Sequence, residues 1–305
     1  MIKPELLAPS GNFKTLEAAV TAGADAVYLG ASKFSARAFA GNFDTHELGL
    51  AVKYASNHNV KTYLAINTLL TDRELKEALE IADFAYNSGV SAFIAQDLGL
   101  ATLIRQNFPK SHLHASTQMT AKTLKDVETL GRLGFKRVVL ARELSRSQIQ
   151  EIRLHTSVEL EVFVHGALCS AYSGQCQISS FIGGRSANRG TCAQPCRLPY
   201  TSTEKNGVLL SLKDLCLIDY VGELVDMGIS ALKIEGRMKG PDYVGTVTKA
   251  YRATLDGALI SEKQKQKMLS IFNRGGYTDG YYIGDTSAMY MDALRNPYAR
   301  GGETL

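Results

Sequence analysis

The sequence predicts an α/β fold, a closed (β/α)8 barrel of the TIM type with a long cysteine-bearing loop after strand 7. Three observations carry this expectation. Four segments repeat one helix-stop-strand pattern, four further strand candidates complete a set of eight, and one βα connection is far longer than the rest. A chain of 305 residues suits one such barrel, with residues 1–257 as the barrel, 166–226 as a loop inserted in it and 258–305 as a C-terminal extension. The rival arrangement is an open doubly wound sheet.

Taken in order, strand 1 is expected at residues 6–9. Strands 2, 4, 6 and 8 come from AGADAVYLG beginning at Ala22, SGVSAFIAQ at Ser88, LGFKRVVLA at Leu133 and MGISALKIE at Met227. Each follows an amphipathic stretch and carries glycine second, where a left-handed residue ends a helix. Apolar alternation then enters the core. Residues 61–67, 112–118 and 160–165 supply strands 3, 5 and 7. The stretches between read as helices: capping boxes open two of them, at Thr71 with Glu74 and Ser145 with Gln148, and Leu75, Leu79, Ala82 and Tyr86 share one face.

The active face of such a barrel lies at the C-terminal ends of its strands. Ser10, Asn12, Asn67, Gln96, Gln118, Arg142, His165, Glu235 and Arg237 are expected there. Capping of the next helix explains Ser10 and Asn12 equally well.

Hydrophobic content of 45%, charged content of 21% and 7 prolines describe an ordinary folded protein. No signal-peptide pattern opens the chain and no apolar run reaches about 18 residues. A cytoplasmic protein without a membrane segment is expected. Thiols stay reduced in that compartment, so five cysteines, four of them between positions 169 and 196, point to metal or catalysis rather than disulfides. The net charge of +4 is a mild bias that suits an anionic substrate or RNA.

Cys169, Cys176, Cys192 and Cys196 are spaced C-x6-C-x15-C-x3-C within the long connection. Four thiolates from one irregular loop can close around a tetrahedral zinc or a four-iron cluster, and the spacing alone leaves both open. Cys216 falls in an expected helix over SLKDLCLIDY and reads as a buried, unliganded thiol. Between residues 162 and 203 no Asp or Glu occurs, while Arg185, Arg189 and Arg197 do. Such arginines compensate an anionic thiolate centre or attract an anionic substrate.

The candidate substrate-binding set is Asn67, Gln118, Arg142, Arg185, Arg189 and Arg237, with the last three suited to an anion or phosphate. His165 and Glu235 are the candidates for proton handling. A His165–Cys169 nucleophilic pair lacks an orienting third group. No H-E-x-x-H, G-x-S-x-G or phosphate-loop spacing is present, which removes the commonest sequence support for those chemistries.

The chain resembles peptidase family U32, the collagenase-like peptidases, from Glu5 to about Gly284. The matching stretches are ELLAPSGN, AGADAVYLG, AIN ending at Asn67, EVFVHGALCSAYSGQC from Glu161, SANRGTCAQPCR from Ser186, KIEGRMK from Lys233 and FNRGGYTDGY from Phe272. The resemblance implies oxygen-independent hydroxylation of tRNA uridine, rRNA cytidine or a ubiquinone precursor, with prephenate as oxygen donor. It also implies a 4Fe-4S cluster on Cys169, Cys176, Cys192 and Cys196, with Cys196 preferred to Cys216 as the fourth ligand. A collagenase-like peptidase and a cluster-carrying subunit paired with a paralogous chain are the alternatives. The chain ends soon after the FNRGG motif, so a minimal catalytic unit is expected, which leaves the RNA substrate open.

Overall fold

The computed structural model describes residues 3–37, 40–203 and 206–291. Residues 292–305 of the expected C-terminal extension lie outside them. Eight barrel strands alternate with helices: β1 Glu5–Pro9, α1 Phe13–Thr21, β2 Ala26–Gly30, α2 Thr45–Asn57, β3 Lys61–Ile66, α3 Asp72–Asn87, β4 Ala92–Ala95, α4 Leu98–Asn107, β5 His112–Ala115, α5 Leu124–Arg132, β6 Arg137–Val139, α6 Arg146–His155, β7 Glu159–Gly166, a loop helix α7 Ile178–Gly183, α8 Val221–Asp226, β8 Ala231–Ile234 and α9 Pro241–Leu255. Each barrel strand pairs in parallel with the next, and β8 closes the ring by pairing with both β7 and β1. Closure rules out the open sheet.

The four helix-stopping glycines do what their repeats require: Gly23, Gly89, Gly134 and Gly228 all have positive φ, between 75° and 95°. The residues after each stop enter a strand whose one face packs on the helices. Leu6, Val27, Leu64, Phe93, Leu113, Val138, Leu160 and Leu232 belong to that outer core. Alternate positions Leu7, Tyr28, Tyr63, Ala65 and Ile94 fill the barrel itself. Both expected capping boxes are present, and Asn12 caps α1 by accepting from the amide of Thr15.

One expected helix does not form. Asp214–Cys216 is a short strand antiparallel to the end of β7, with Leu215 opposite Gly166 and Cys216 opposite His165. The C-terminal end of β7 runs past the three-residue β6 and offers backbone partners that outweigh the local helical pattern. Its other edge pairs with Tyr277–Thr278, so the C-terminal segment folds back over the barrel rim. None of the described helices is long and apolar enough to cross a membrane.

Candidate active site at the barrel mouth

Alternation along β8 and its continuation sends Lys233, Glu235 and Arg237 into the barrel, while Leu232 and Ile234 face the helices. Lys233 sits deepest. Its Nζ donates to Glu161 Oε1 at 2.8 Å, and Arg137 joins Glu161 to Glu5 below, with Nη1 2.8 Å from Glu5 Oε1. Arg137, Glu5, Glu161 and Lys233 are all largely buried, so this ion ladder closes the floor.

Above the floor, Glu235 gathers guanidinium groups. Arg37 Nη2 and Arg142 Nη2 donate to its Oε2 at 2.8 and 2.7 Å. Burial alone would raise the carboxyl, but Arg37, Arg142 and Arg237 hold it down at about 2. Arg237 donates to Ser35 Oγ at 2.6 Å, and burial, with Arg37 nearby, lowers its guanidinium to about 10. Gly30, at the end of β2, leaves the space it occupies: a Cβ there would collide with Arg237 Nη1. Three guanidiniums thus face one carboxylate. Arg142 Nε is buried without a partner among the described residues. The cavity, lined also by Asn67, Gln118 and Tyr28, measures about 50 Å³. One water needs about 10–15 Å³, so the cavity admits a small anion and not a nucleotide.

The loop after β7 is laid across this mouth. Asn188 Nδ2 donates to Gln96 Oε1 at 2.7 Å and to Gln118 Oε1 at 3.2 Å, while its Oδ1 accepts from the amide of Leu69. Gln118 Nε2 is in turn spent on the carbonyl of Asn67 at 2.6 Å. Asn67 and Gln118 therefore line the cavity while anchoring its cover. Arg197 is buried and clamps the loop from inside, donating to Leu168 O, Leu212 O and Ser211 Oγ.

Two expected anion-binding arginines lie elsewhere. Arg189 makes a bidentate pair with Glu74 in the first turn of α3, at 2.6 and 2.7 Å, because that carboxylate stands where the loop crosses the helix start. Arg185 is exposed and donates to Thr191 O within its own loop. Neither lines the cavity. Arg37 was not singled out from the sequence, since it sits in the β2–α2 connection with no motif around it.

His165 also lies outside the cavity. It is enclosed by the rings of Tyr243, Tyr251 and Tyr277, its Nδ1 is 3.4 Å from Tyr251 Oη, and its Nε2 has no partner among the described residues. Burial lowers it to about 3 from an ordinary 6.5, and burial together with Arg137 pushes His114 well down too. Both rings are neutral when folded and take up a proton on unfolding below about 6.5. Stability from this source is complete above 6.5 and is lost as pH falls toward the folded values. As pH falls from 6.5 to 4.5 the urea midpoint is expected to drop, with His165 contributing about 2 kcal/mol to the loss and His114 adding in the same direction. His165→Gln should make that drop shallower, and an unchanged pH dependence would contradict the assignment.

All five cysteines are free thiols and partly exposed. Burial raises the Cys169 thiol, and Cys196, Arg142 and Cys176 also act on its charge. Arg37, in the cavity wall, feels Cys169 in return. Cys192 Sγ accepts from the amide of Gln194 at 3.3 Å and from Ser179 Oγ at 3.7 Å. Among the described residues no three metal-ligating side chains converge as ligands of one ion. In residue type the loop carries the donors of an anionic thiolate-held cluster, four thiols with Arg142 and Arg197 acting on Cys169 and Cys196, but their placement here does not bring them together as ligands. Cys216 stands apart, its Sγ 4.0 Å from Tyr251 Oη, and burial pushes its thiol up to about 11.

Comparison with known proteins gives this geometry a context. Residues 11–292 match the family described as peptidase family U32. The chain is 40% identical over 293 residues to a 23S rRNA 5-hydroxycytidine synthase of Escherichia coli, covering 94% of this chain and 44% of that one. It is 36% identical over 267 residues to a tRNA hydroxylation protein of Bacillus subtilis, covering 83% of this chain and 63% of that one. It thus spans between two fifths and two thirds of those relatives' lengths. A solved U32 peptidase superposes with a TM-score of 0.54 at 14% identity, over 76% of this chain and 93% of that one, which supports the barrel fold.

Proposed function

The chain belongs to peptidase family U32, and from that premise and the barrel mouth we propose that it is an iron-sulfur-dependent, oxygen-independent RNA hydroxylase working in the cytoplasm. Its relatives named as rRNA and tRNA hydroxylation proteins support the RNA substrate. The observation that carries the reading is the set of three guanidiniums around one carboxylate in the cavity at the barrel mouth. The two uncompensated positive charges and the unpartnered Arg142 Nε suit a small dicarboxylate. Prephenate, as oxygen donor, is larger than a cavity of about 50 Å³ and would place one of its two carboxylates there with its ring at the mouth.

In this reading Cys169, Cys176, Cys192 and Cys196 hold a 4Fe-4S cluster, which supplies electron transfer or Lewis acidity when bound. Arg142 and Arg237 bind the donor carboxylate that enters the cavity. Glu235 stays ionised and keeps Arg37 and Arg142 aimed inward, a positioning role rather than proton transfer. Asn188 and Gln118 hold the loop over the mouth and exclude water. The same assay tests all of this: protein purified without oxygen, RNA from a deletion strain, and nucleosides analysed by mass spectrometry. One added oxygen that depends on prephenate is expected, and Arg142→Ala should raise the KM for the donor by about 10- to 100-fold, the loss of one charge-assisted pair. No oxygen transfer to any RNA removes the reading. A second reading, the cluster-carrying subunit of a two-chain quinone-precursor hydroxylase, draws support from exposed Phe181 and Ile182 on α7; it requires a related chain to co-purify and to restore turnover.

A further inference from the structure

Beside the arginine-lined cavity lies a groove of about 700 Å³ that the reaction outlined above leaves unused. Lys122, Glu143, Tyr172, Gln175 and Tyr281 line it, together with Ser170 and Ala171 directly after Cys169. Burial, Glu143 and, more weakly, Cys169 raise the Tyr281 hydroxyl to about 12. The groove therefore abuts the loop directly after Cys169.

The chemistry of the two differs. The first holds guanidiniums and admits only a small anion, whereas the groove offers flat rings, amides, one ammonium and one carboxylate. Tyr172 is half exposed, and Lys122 Nζ stands 4.3 Å from its ring centre. Glu143 Oε1 takes the hydroxyl of Ser173 at 3.1 Å; its Oε2 is buried and has no partner among the described residues. A buried acceptor without a donor is costly unless a ligand supplies one. Aromatic faces, an acceptor on the pairing edge and a cation for the adjoining phosphate are what an unstacked base requires.

We infer that the groove receives the target nucleobase of an RNA, with Glu143 Oε2 accepting from an N–H on the base's pairing edge, Tyr172 and Tyr281 bounding its faces and Lys122 meeting the neighbouring phosphate. This rests on the RNA-hydroxylase reading and adds which edge of the base is read and by what.

The test is fluorescence anisotropy of the full chain with labelled single-stranded RNA. Each oligonucleotide carries one central cytosine, cytosine with a dimethylated exocyclic amine, uracil, 3-methyluracil or an abasic site. For the base that is the substrate, methylation should weaken wild-type binding about 10-fold or more. Glu143→Ala, with Glu143→Gln as a shape-conserving second variant, should erase that discrimination. Lys122→Ala should weaken all oligonucleotides alike and lower the salt slope by about one. Discrimination that persists in both Glu143 variants, or is absent from the wild type, overturns the groove assignment while hydroxylation stands. Failure of the wild type to bind any of these RNAs overturns the RNA reading itself.

Discussion

Replacing Cys169 with alanine is expected to reduce iron in anaerobically purified protein from about four atoms per chain to less than one, and to abolish its broad visible absorption. RNA hydroxylation should fall by more than the 10–100-fold typical of changes to groups behind a ligand. The physical reason is position. Cys169 is the thiol on which Cys196, Cys176 and Arg142 all act, and the one whose charge reaches the cavity wall at Arg37. The far-ultraviolet circular dichroism should be unchanged, because Cys169 lies in the irregular loop outside every strand and helix. Cys216→Ala supplies the contrast. That thiol is paired across from His165 and packed on Tyr251, away from the other four, and its raised value keeps it protonated at neutral pH. Iron retained in the Cys216 variant and lost in the Cys169 variant supports the ligand set; equal loss in both would replace Cys196 by Cys216.

The barrel was legible because its signals are local. A left-handed glycine after an amphipathic stretch, followed by alternation, is a statement about three to nine adjacent residues, and Gly23, Gly89, Gly134 and Gly228 each carry it. Asn67, Gln118, Arg142, Glu235 and Arg237 were placed by the rule that strand C-terminal ends form the active face, and all five line the cavity. What escaped is pairing across the chain. Nothing near Arg189 announces that Glu74 will meet it, nor does any pattern near Arg37 point to Glu235, 198 residues away. The helix expected around Cys216 failed for the same reason, since the strand it joins forms on the end of β7 that runs past short β6, while the thiol's burial held. His165 ends the signature EVFVH as expected, but the backbone register shifts between Lys233 and Ile234 opposite it, and the side chain enters the tyrosine cage instead of the cavity.

The floor of the barrel carries the second large effect. Glu161→Gln is expected to destabilise the fold by about 3–5 kcal/mol, the usual cost of breaking a buried ion pair from one side, and to lower the melting temperature by about 10 °C. Glu161 is completely buried and is the carboxylate partner of Lys233 Nζ, so its loss strands an ammonium inside the barrel; Arg137 keeps Glu5 and Glu159. Burial already lowers Lys233, with Glu161 opposing that shift. Removing that opposition lets burial lower the lysine further, which limits the cost. The double replacement Glu161→Leu with Lys233→Met should recover most of the loss, since apolar residues in place of a buried pair are often neutral or better. Thermal and urea unfolding of the three proteins decide the matter. A Glu161→Gln protein as stable as wild type would mean that Lys233 is neutral in the native barrel, and the cavity above would then draw its positive charge from Arg37, Arg142 and Arg237 alone.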